Sequence, residues 1–112
     1  MTLRQKQSLF VQFVARLIIR AEATGYELTF GEAYRSPEEA ARLTTLGRGI
    51  AQSLHTSRLA IDFNLFKDGV YLSSTESHRP LGEWWEQQHD LCRWGGRFKD
   101  GNHYALAHGG RS

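Results

Sequence analysis

The sequence is poor in the features that mark several classes of protein. Cys92 is the single cysteine among 112 residues, so neither an internal disulfide nor a cysteine-ligated metal site can form. Long apolar runs are also absent, because Gln12 and Arg16 interrupt the apolar residues of the first segment. No small-residue cleavage site follows that segment. We therefore expect no signal peptide and no stable membrane insertion, and we expect the chain to be made in the cytoplasm.

Concentrated charge is missing as well. The formal net charge is +2 and the pI is about 8.9, which is mildly basic and favours an anionic surface. Lys and Arg form no stripe interleaved with aromatic residues, so we expect no nucleic-acid partner. Hydrophobic residues make up 40% of the chain and charged residues 23%, as in globular proteins. A chain of this length predicts one domain, over residues 1–112.

Hydrophobic periodicity predicts the elements of the first half. Apolar residues at steps of three and four predict an amphipathic helix over residues 1–20, and residues 26–30 alternate as a short strand. Ser36 with Glu39 is typical of a capping box, and a proline follows Ser36 at the first helical position. We therefore predict a second helix over residues 37–46.

The second half predicts an antiparallel sheet. Residues 59–65 alternate apolar with small or polar side chains, and residues 103–106 do the same. Asp68-Gly69 is a strong hairpin signal for the segments on either side of it. The fold class is therefore α+β: a small domain with helices packed on a mainly antiparallel sheet whose groove holds the site. The remaining segments are predicted as a glycine-containing loop at residues 47–52, a polar loop at residues 73–78 and a helix over residues 80–91.

Three side chains of the predicted sheet have the chemistry of a metal site. His55 precedes the strand at residues 59–65, Asp62 lies within it, and His103 begins the strand at residues 103–106. Small residues flank Asp62 and His103 on their own faces, which leaves room around them. Two histidines and one carboxylate are typical protein ligands of a catalytic zinc ion, with a fourth position for water. The competing interpretation is that a strand Asp is usually solvated and that most histidines bind no metal.

These residues belong to a longer pattern that resembles peptidase family M15, the zinc D-Ala-D-Ala carboxypeptidases and L-alanyl-D-glutamate endopeptidases. Ser53 stands two residues before His55, six residues separate His55 from Asp62, and residues 94–103 read Trp-Gly-Gly-Arg-Phe-x-Asp-x-x-His. The pattern is most similar to short members of bacteriophage endolysin type, which share the Trp-Gly-Gly segment and an Asp three residues before the last His. The resemblance covers about residues 34–103.

The resemblance implies a role for each candidate residue. Asp100 would act as the catalytic base, in the place where the carboxypeptidase branch has Glu. Arg35 would bind a substrate carboxylate through its planar guanidinium. The zinc ligands would be His55, Asp62 and His103, and Ser53 would contact the substrate.

Structural alternatives stay open for three of these roles. Ser53 could be a plain turn residue that hydrogen-bonds its own loop. Arg35 could pair on the surface with Glu38 or Glu39. The residues that could compete with Asp100 as the base are Glu83 and Glu86, although a solvated helix face is the simpler interpretation for them.

The implied activity is hydrolysis of a peptide bond in the cell-wall stem peptide by a zinc metallopeptidase of endolysin type. The L-Ala-D-Glu bond is favoured because Asp100 and Asn102 resemble the endopeptidase branch. We expect a monomer that reaches the wall after release through holin-type membrane lesions. Three alternatives are kept: a D-Ala-D-Ala carboxypeptidase, a non-catalytic metal- or wall-binding module on the same fold, and a histidine-dependent nuclease suggested by the Asn102-His103 pair.

Overall fold

Three α-helices and one five-stranded sheet make up the computed structural model, which describes residues 1–48 and 53–112. The predicted loop at residues 47–52 therefore lies mostly outside the described residues. The helices are α1 (Leu3–Ala23), α2 (Pro37–Thr45) and α3 (Thr75–Glu86), and short 3₁₀ helices cover Leu54–Ser57 and Gly95–Phe98. The strands are β1 (Glu27–Phe30), β2 (Ala60–Lys67), β3 (Val70–Leu72), β4 (Cys92–Trp94) and β5 (His103–Leu106).

The sheet is built around β2, the longest strand. The strand order is β1-β2-β5-β4, β3 also pairs with β2, and every one of these pairs is antiparallel. Asp68 and Gly69 join β2 to β3 with φ angles of 52° and 78°, the left-handed conformation that a two-residue hairpin requires. The predicted α+β class and its mainly antiparallel sheet are confirmed.

The core lies between the sheet and two helices, α1 and α3. Trp85 of α3 is fully buried, and Phe10 and Phe13 of α1 meet it edge-on with ring centroids 5.9 and 6.3 Å away. Its indole N–H donates to the Arg93 and Ala105 carbonyls, both at 3.1 Å, and so ties α3 to β4 and β5. None of the described helices combines length and apolar character in the way that crossing a membrane requires.

The helix predicted over residues 80–91 is wrong at both ends, and most of the predicted polar loop at residues 73–78 is helical. α3 begins early because the Ser74 hydroxyl accepts a hydrogen bond from a backbone N–H of the first turn. Pro80 lies inside α3, where it costs one backbone hydrogen bond near the helix start, instead of opening the helix as the sequence suggested. After Glu86 the chain turns back into β4, a strand that the sequence analysis missed.

Trp94, at the end of β4, supports the loop that leads towards β5. Its indole N–H donates to the Gly101 carbonyl at 2.7 Å. Two glycines lie against its ring, because a Cβ added at Gly82 or Gly96 would come within 2.1 or 2.3 Å of a ring carbon. The ring therefore needs glycine at both positions.

Gly82→Ala is expected to lower the free energy of unfolding by about 1–3 kcal/mol, because the new methyl group must displace the buried ring. Thermal or urea unfolding monitored by circular dichroism measures the change. Glu83→Ala, on the exposed side of the same helix, is the control and should change stability by about 0.5 kcal/mol or less. Equal stabilities for the Gly82→Ala variant and the unaltered protein would contradict the packing argument.

Candidate metal centre and its cleft

Three ligand-type side chains meet where β2 pairs with β5. Asp62 lies directly opposite His103 in the antiparallel register, and His55 comes from the 3₁₀ helix just before β2. The Asp62 Oδ1 atom is 3.2 Å from His55 Nε2 and 3.3 Å from His103 Nδ1. The ligand atoms of all three residues lie within 4.8 Å of one another. The structure thus brings together the three residues predicted as zinc ligands.

The ring of His55 is oriented by a second contact behind it. Its Nδ1 lies 2.9 Å from the Ala33 carbonyl oxygen, which can only accept a hydrogen bond, so Nδ1 carries the proton. When the ring is neutral, this tautomer leaves the Nε2 lone pair for a metal ion, as in metal-ligating histidines whose other nitrogen donates to a carbonyl. The Ser53 hydroxyl accepts from the His55 backbone N–H at 3.2 Å and caps the 3₁₀ helix. Ser53 therefore makes the predicted turn contact, and its contact with the substrate stays a prediction.

The electrostatics of the group favour a bound cation. Burial opposes ionisation of Asp62, yet hydrogen bonds from His103 and from the protonated form of His55 outweigh it and hold the pKa of this carboxyl at about 2. Burial likewise opposes the charged form of His55, but the Asp62 carboxylate raises the pKa of His55 above its ordinary value. Asp62 is therefore an ionised, half-buried carboxylate with two imidazoles beside it, a donor set that fits zinc.

A cleft of about 790 Å³ opens over these residues. Asp100 lies on its wall with a side chain that is 59% exposed, and its Oδ2 atom is 3.9 Å from His103 Nδ1. It is near the ligand group without belonging to it. The other residues that line the cleft include Arg35, Ser53, Phe98, Gly110 and Arg111. Glu83 and Glu86 line a separate cavity beside Trp94.

Arg35 reaches the cleft from the segment between β1 and α2. Its backbone N–H donates to the His55 carbonyl at 3.2 Å, and its side chain is 13% exposed. β1 stops at Phe30, so Arg35 lies in the connecting segment and not in a strand. The surface pairing of Arg35 with Glu39 that was the alternative is not present, because the guanidinium contacts Glu32 and the Glu39 carboxylate binds Arg42.

Glu32 is the residue that the sequence analysis missed. Its carboxylate contacts Arg35 and lies 3.9 Å from His55 Nδ1, while its carbonyl accepts from the Asp62 N–H at 2.8 Å. Gly31 makes this approach feasible, since a Cβ there would lie 2.8 Å from the Asp62 carbonyl oxygen. No local signal marks Glu32, because its partners other than Arg35 are more than 20 residues away.

His55→Ala and His103→Ala are each expected to lose stoichiometric zinc, because two remaining protein ligands hold the ion far more weakly than three. Elemental analysis after dialysis measures the metal content. His89→Ala is the matched control, since His89 contacts the Leu91 N–H and the Phe13 ring and does not line the cleft. Full zinc occupancy in both His55→Ala and His103→Ala would place the metal site elsewhere.

Comparison with known proteins agrees with this geometry. A profile of peptidase family M15 described as D-alanyl-D-alanine carboxypeptidase matches residues 47–106, more than half of the chain. A solved mutant of the vancomycin-resistance D,D-pentapeptidase VanY, from a VanB-type resistance cassette and in complex with Zn(II), has a similar fold. Its TM-score is 0.57 at 18% identity, over 87% of this chain and 70% of that chain. No curated protein matches the sequence significantly. The chain belongs to peptidase family M15, the zinc metallopeptidases that its sequence resembles.

Proposed function

We propose that this protein is a zinc-dependent peptidoglycan peptidase that hydrolyses a bond of the cell-wall stem peptide, with L-Ala-D-Glu as the preferred bond. The observation that carries the proposal is the group His55, Asp62 and His103 in a cleft that also presents a cation, Arg35, and a second carboxylate, Asp100. Such a cleft combines a metal site, an anchor for an anionic substrate and a base.

Each residue has a distinct part in the proposed reaction. Zinc held by His55, Asp62 and His103 would polarise the scissile carbonyl and lower the pKa of a water molecule. Asp100 accepts the proton of that water and returns it to the leaving amine. Arg35 binds a carboxylate of the wall peptide and so fixes the scissile bond over the ligand group.

The turn that precedes β5 holds the backbone of Asp100 in place. The His103 N–H donates to the Asp100 carbonyl at 3.1 Å, and the Asp100 N–H donates to the Gly95 carbonyl at 3.0 Å. Residue 95 must be glycine, because a Cβ there would lie 2.2 Å from the Asp100 carbonyl oxygen. Asp100 supports the proposal better than Glu83 or Glu86, which do not line the cleft.

The second candidate function is removal of a terminal D-Ala, as in a D-Ala-D-Ala carboxypeptidase. The description of the matching family profile favours it. Arg35 would then bind the carboxylate at the end of the peptide. The endopeptidase stays the first choice because Asp100 and Asn102 resemble the endolysin-type branch.

The biological setting is part of the same proposal. The resemblance of residues 94–103 to short endolysin-type members supports a role in phage lysis, with release to the wall through holin-type membrane lesions. We further propose that residues 1–112 act as one domain and as a monomer.

Digestion of purified, unamidated peptidoglycan by the zinc-loaded protein is expected to give new termini at L-Ala and D-Glu, identified by mass spectrometry. Release of free D-Ala would favour the carboxypeptidase instead.

Asp100→Asn should keep its zinc content and melting temperature, while the rate of hydrolysis falls by about 10²–10⁴-fold because general acid–base catalysis is lost. Asp100→Glu should recover part of the rate.

Three outcomes would contradict this proposal. If the protein binds the wall and retains zinc but produces no new termini, it is a non-catalytic binding module and not a peptidase. Full activity of Asp100→Asn would mean that another group is the base. Loss of zinc from Asp100→Asn would make Asp100 a ligand or a support for one.

Glu32→Gln is expected to raise KM about tenfold at unchanged zinc content, because Arg35 loses the charged contact that holds its guanidinium towards the cleft. Glu32→Asp should restore part of the loss. Steady-state kinetics on a wall peptide measures both. Glu38→Gln, an exposed neighbour on α2, is the control and should match the unaltered protein. An unchanged KM in Glu32→Gln would show that Arg35 needs no such support.

A further inference from the structure

One face of the sheet continues outward from the ligand group along β2. Successive side chains of a strand point to opposite faces, so Asp62, Asn64 and Phe66 share a face. These three residues are half-buried, whereas the residues at positions 61, 63 and 65 are buried in the core. The less buried face of β2 is therefore the one that carries the metal ligand.

Cross-strand pairs arrange this face in three rows, since directly opposite residues of an antiparallel pair lie on the same face. The rows, in order from the ligand group outward, are Asp62 with His103, Asn64 with Thr29, and Phe66 with Glu27 and Tyr71. Two residues of a strand span about 7 Å, so the third row lies about 13 Å from the first. The second row joins the third to the ligand group without a break in the strand.

The two outer rows combine polar groups with exposed aromatic rings. The Asn64 side-chain amide donates to the Thr29 hydroxyl at 3.2 Å in the second row. In the third row the Phe66 and Tyr71 rings lie 5.4 Å apart, Tyr71 is 56% exposed, and Glu27 is exposed beside them. An aromatic ring with polar neighbours suits a sugar, because the C–H face of a sugar ring packs on the aromatic ring while its hydroxyls form hydrogen bonds.

The chemistry of a wall peptide places a sugar close to the ligand group. A stem peptide is joined to an amino sugar of the glycan strand through L-Ala and a lactyl unit. With the L-Ala-D-Glu bond over the ligand group, these two units span roughly 7 Å, taken as two extended residues. The first sugar ring then lies just beyond that distance, between the second and third rows. A cut between the two D-Ala residues would hold the sugar three residues, or roughly 10 Å, further away.

We propose that the outer rows of this sheet face bind the glycan strand to which the stem peptide is attached. The Phe66 and Tyr71 rings stack on an amino sugar, and Asn64 and Thr29 form hydrogen bonds with its polar groups. This inference rests on the proposed function, because it extends the same cleft to the sugar part of the substrate. The protein should therefore prefer stem peptides that are still linked to sugar.

The binding test uses wall glycan strands from which the stem peptides have been removed, titrated calorimetrically into the zinc-loaded protein. Tyr71→Ala should weaken binding by about three- to tenfold, because an aromatic stacking partner is lost. Tyr71→Phe keeps the ring and should keep most of the affinity. Val70→Ala is the matched control, since Val70 is 59% exposed on the same hairpin and points to the opposite face of the sheet.

A kinetic test compares a stem peptide linked to its disaccharide with the same peptide free of sugar. The unaltered protein should show a kcat/KM that is about three- to tenfold higher for the sugar-linked peptide. Tyr71→Ala should lose most of this preference and hydrolyse the free peptide at the unaltered rate, because Tyr71 does not line the cleft. Val70→Ala should keep the preference.

The outcomes separate this inference from the proposed reaction. Glycan binding that Tyr71→Ala weakens and Val70→Ala does not would support the inference, even if neither peptide were cleaved. No binding of the glycan by the unaltered protein, or equal binding by Tyr71→Ala, would overturn it, even if both peptides were cleaved. If Tyr71→Ala abolishes self-association in analytical ultracentrifugation and leaves glycan binding unchanged, the face is an interface between copies and the inference is wrong.

Discussion

The antiparallel pairing of β2 with β5 is the constraint on which the site depends. It sets Asp62 opposite His103. The next pair on the same face is Ala60 opposite Ala105, and both of these side chains are small. A slip of one residue would turn Asp62 into the core and an apolar side chain into the cleft. The buried Ile61 and Phe63 on the other face of β2 hold the register, because they would have to leave the core for such a slip.

Two glycines let further groups approach that strand pair. Gly31 allows the segment after β1 to bond to the Asp62 backbone, which brings Glu32 near His55 and Arg35 to the cleft. Gly95 likewise allows the backbone of Asp100 to come close in the turn that precedes β5. The glycine of the Trp-Gly-Gly motif thus has a physical reason: a side chain at position 95 would push the proposed base away from the ligand group.

The parts of the fold that follow from local pattern were predictable from the sequence. Strand alternation around Asp62 and His103 and the Asp68-Gly69 turn each depend on neighbouring residues, and the structure has all of them. The true start of α3 was missed because a proline at position 80 outweighed the weaker cap signal of Ser74. The strand β4 is only three residues long, too short for periodicity to reveal. Glu32 comes near His55, and Arg111 comes to the cleft, through contacts between distant segments, which no local pattern encodes.

The two carboxylates of the cleft have surroundings that suit them to different parts of the proposed reaction. Asp62 is held between two histidines with a pKa at about 2, so it is too weak a base to take a proton from water near neutral pH, and its charge is best used as a ligand. Asp100 lies beside His103 with a side chain that is 59% exposed, where solvent can reach it. In the proposed reaction, the strand would supply a half-buried anion for the metal and the turn an exposed one for the proton.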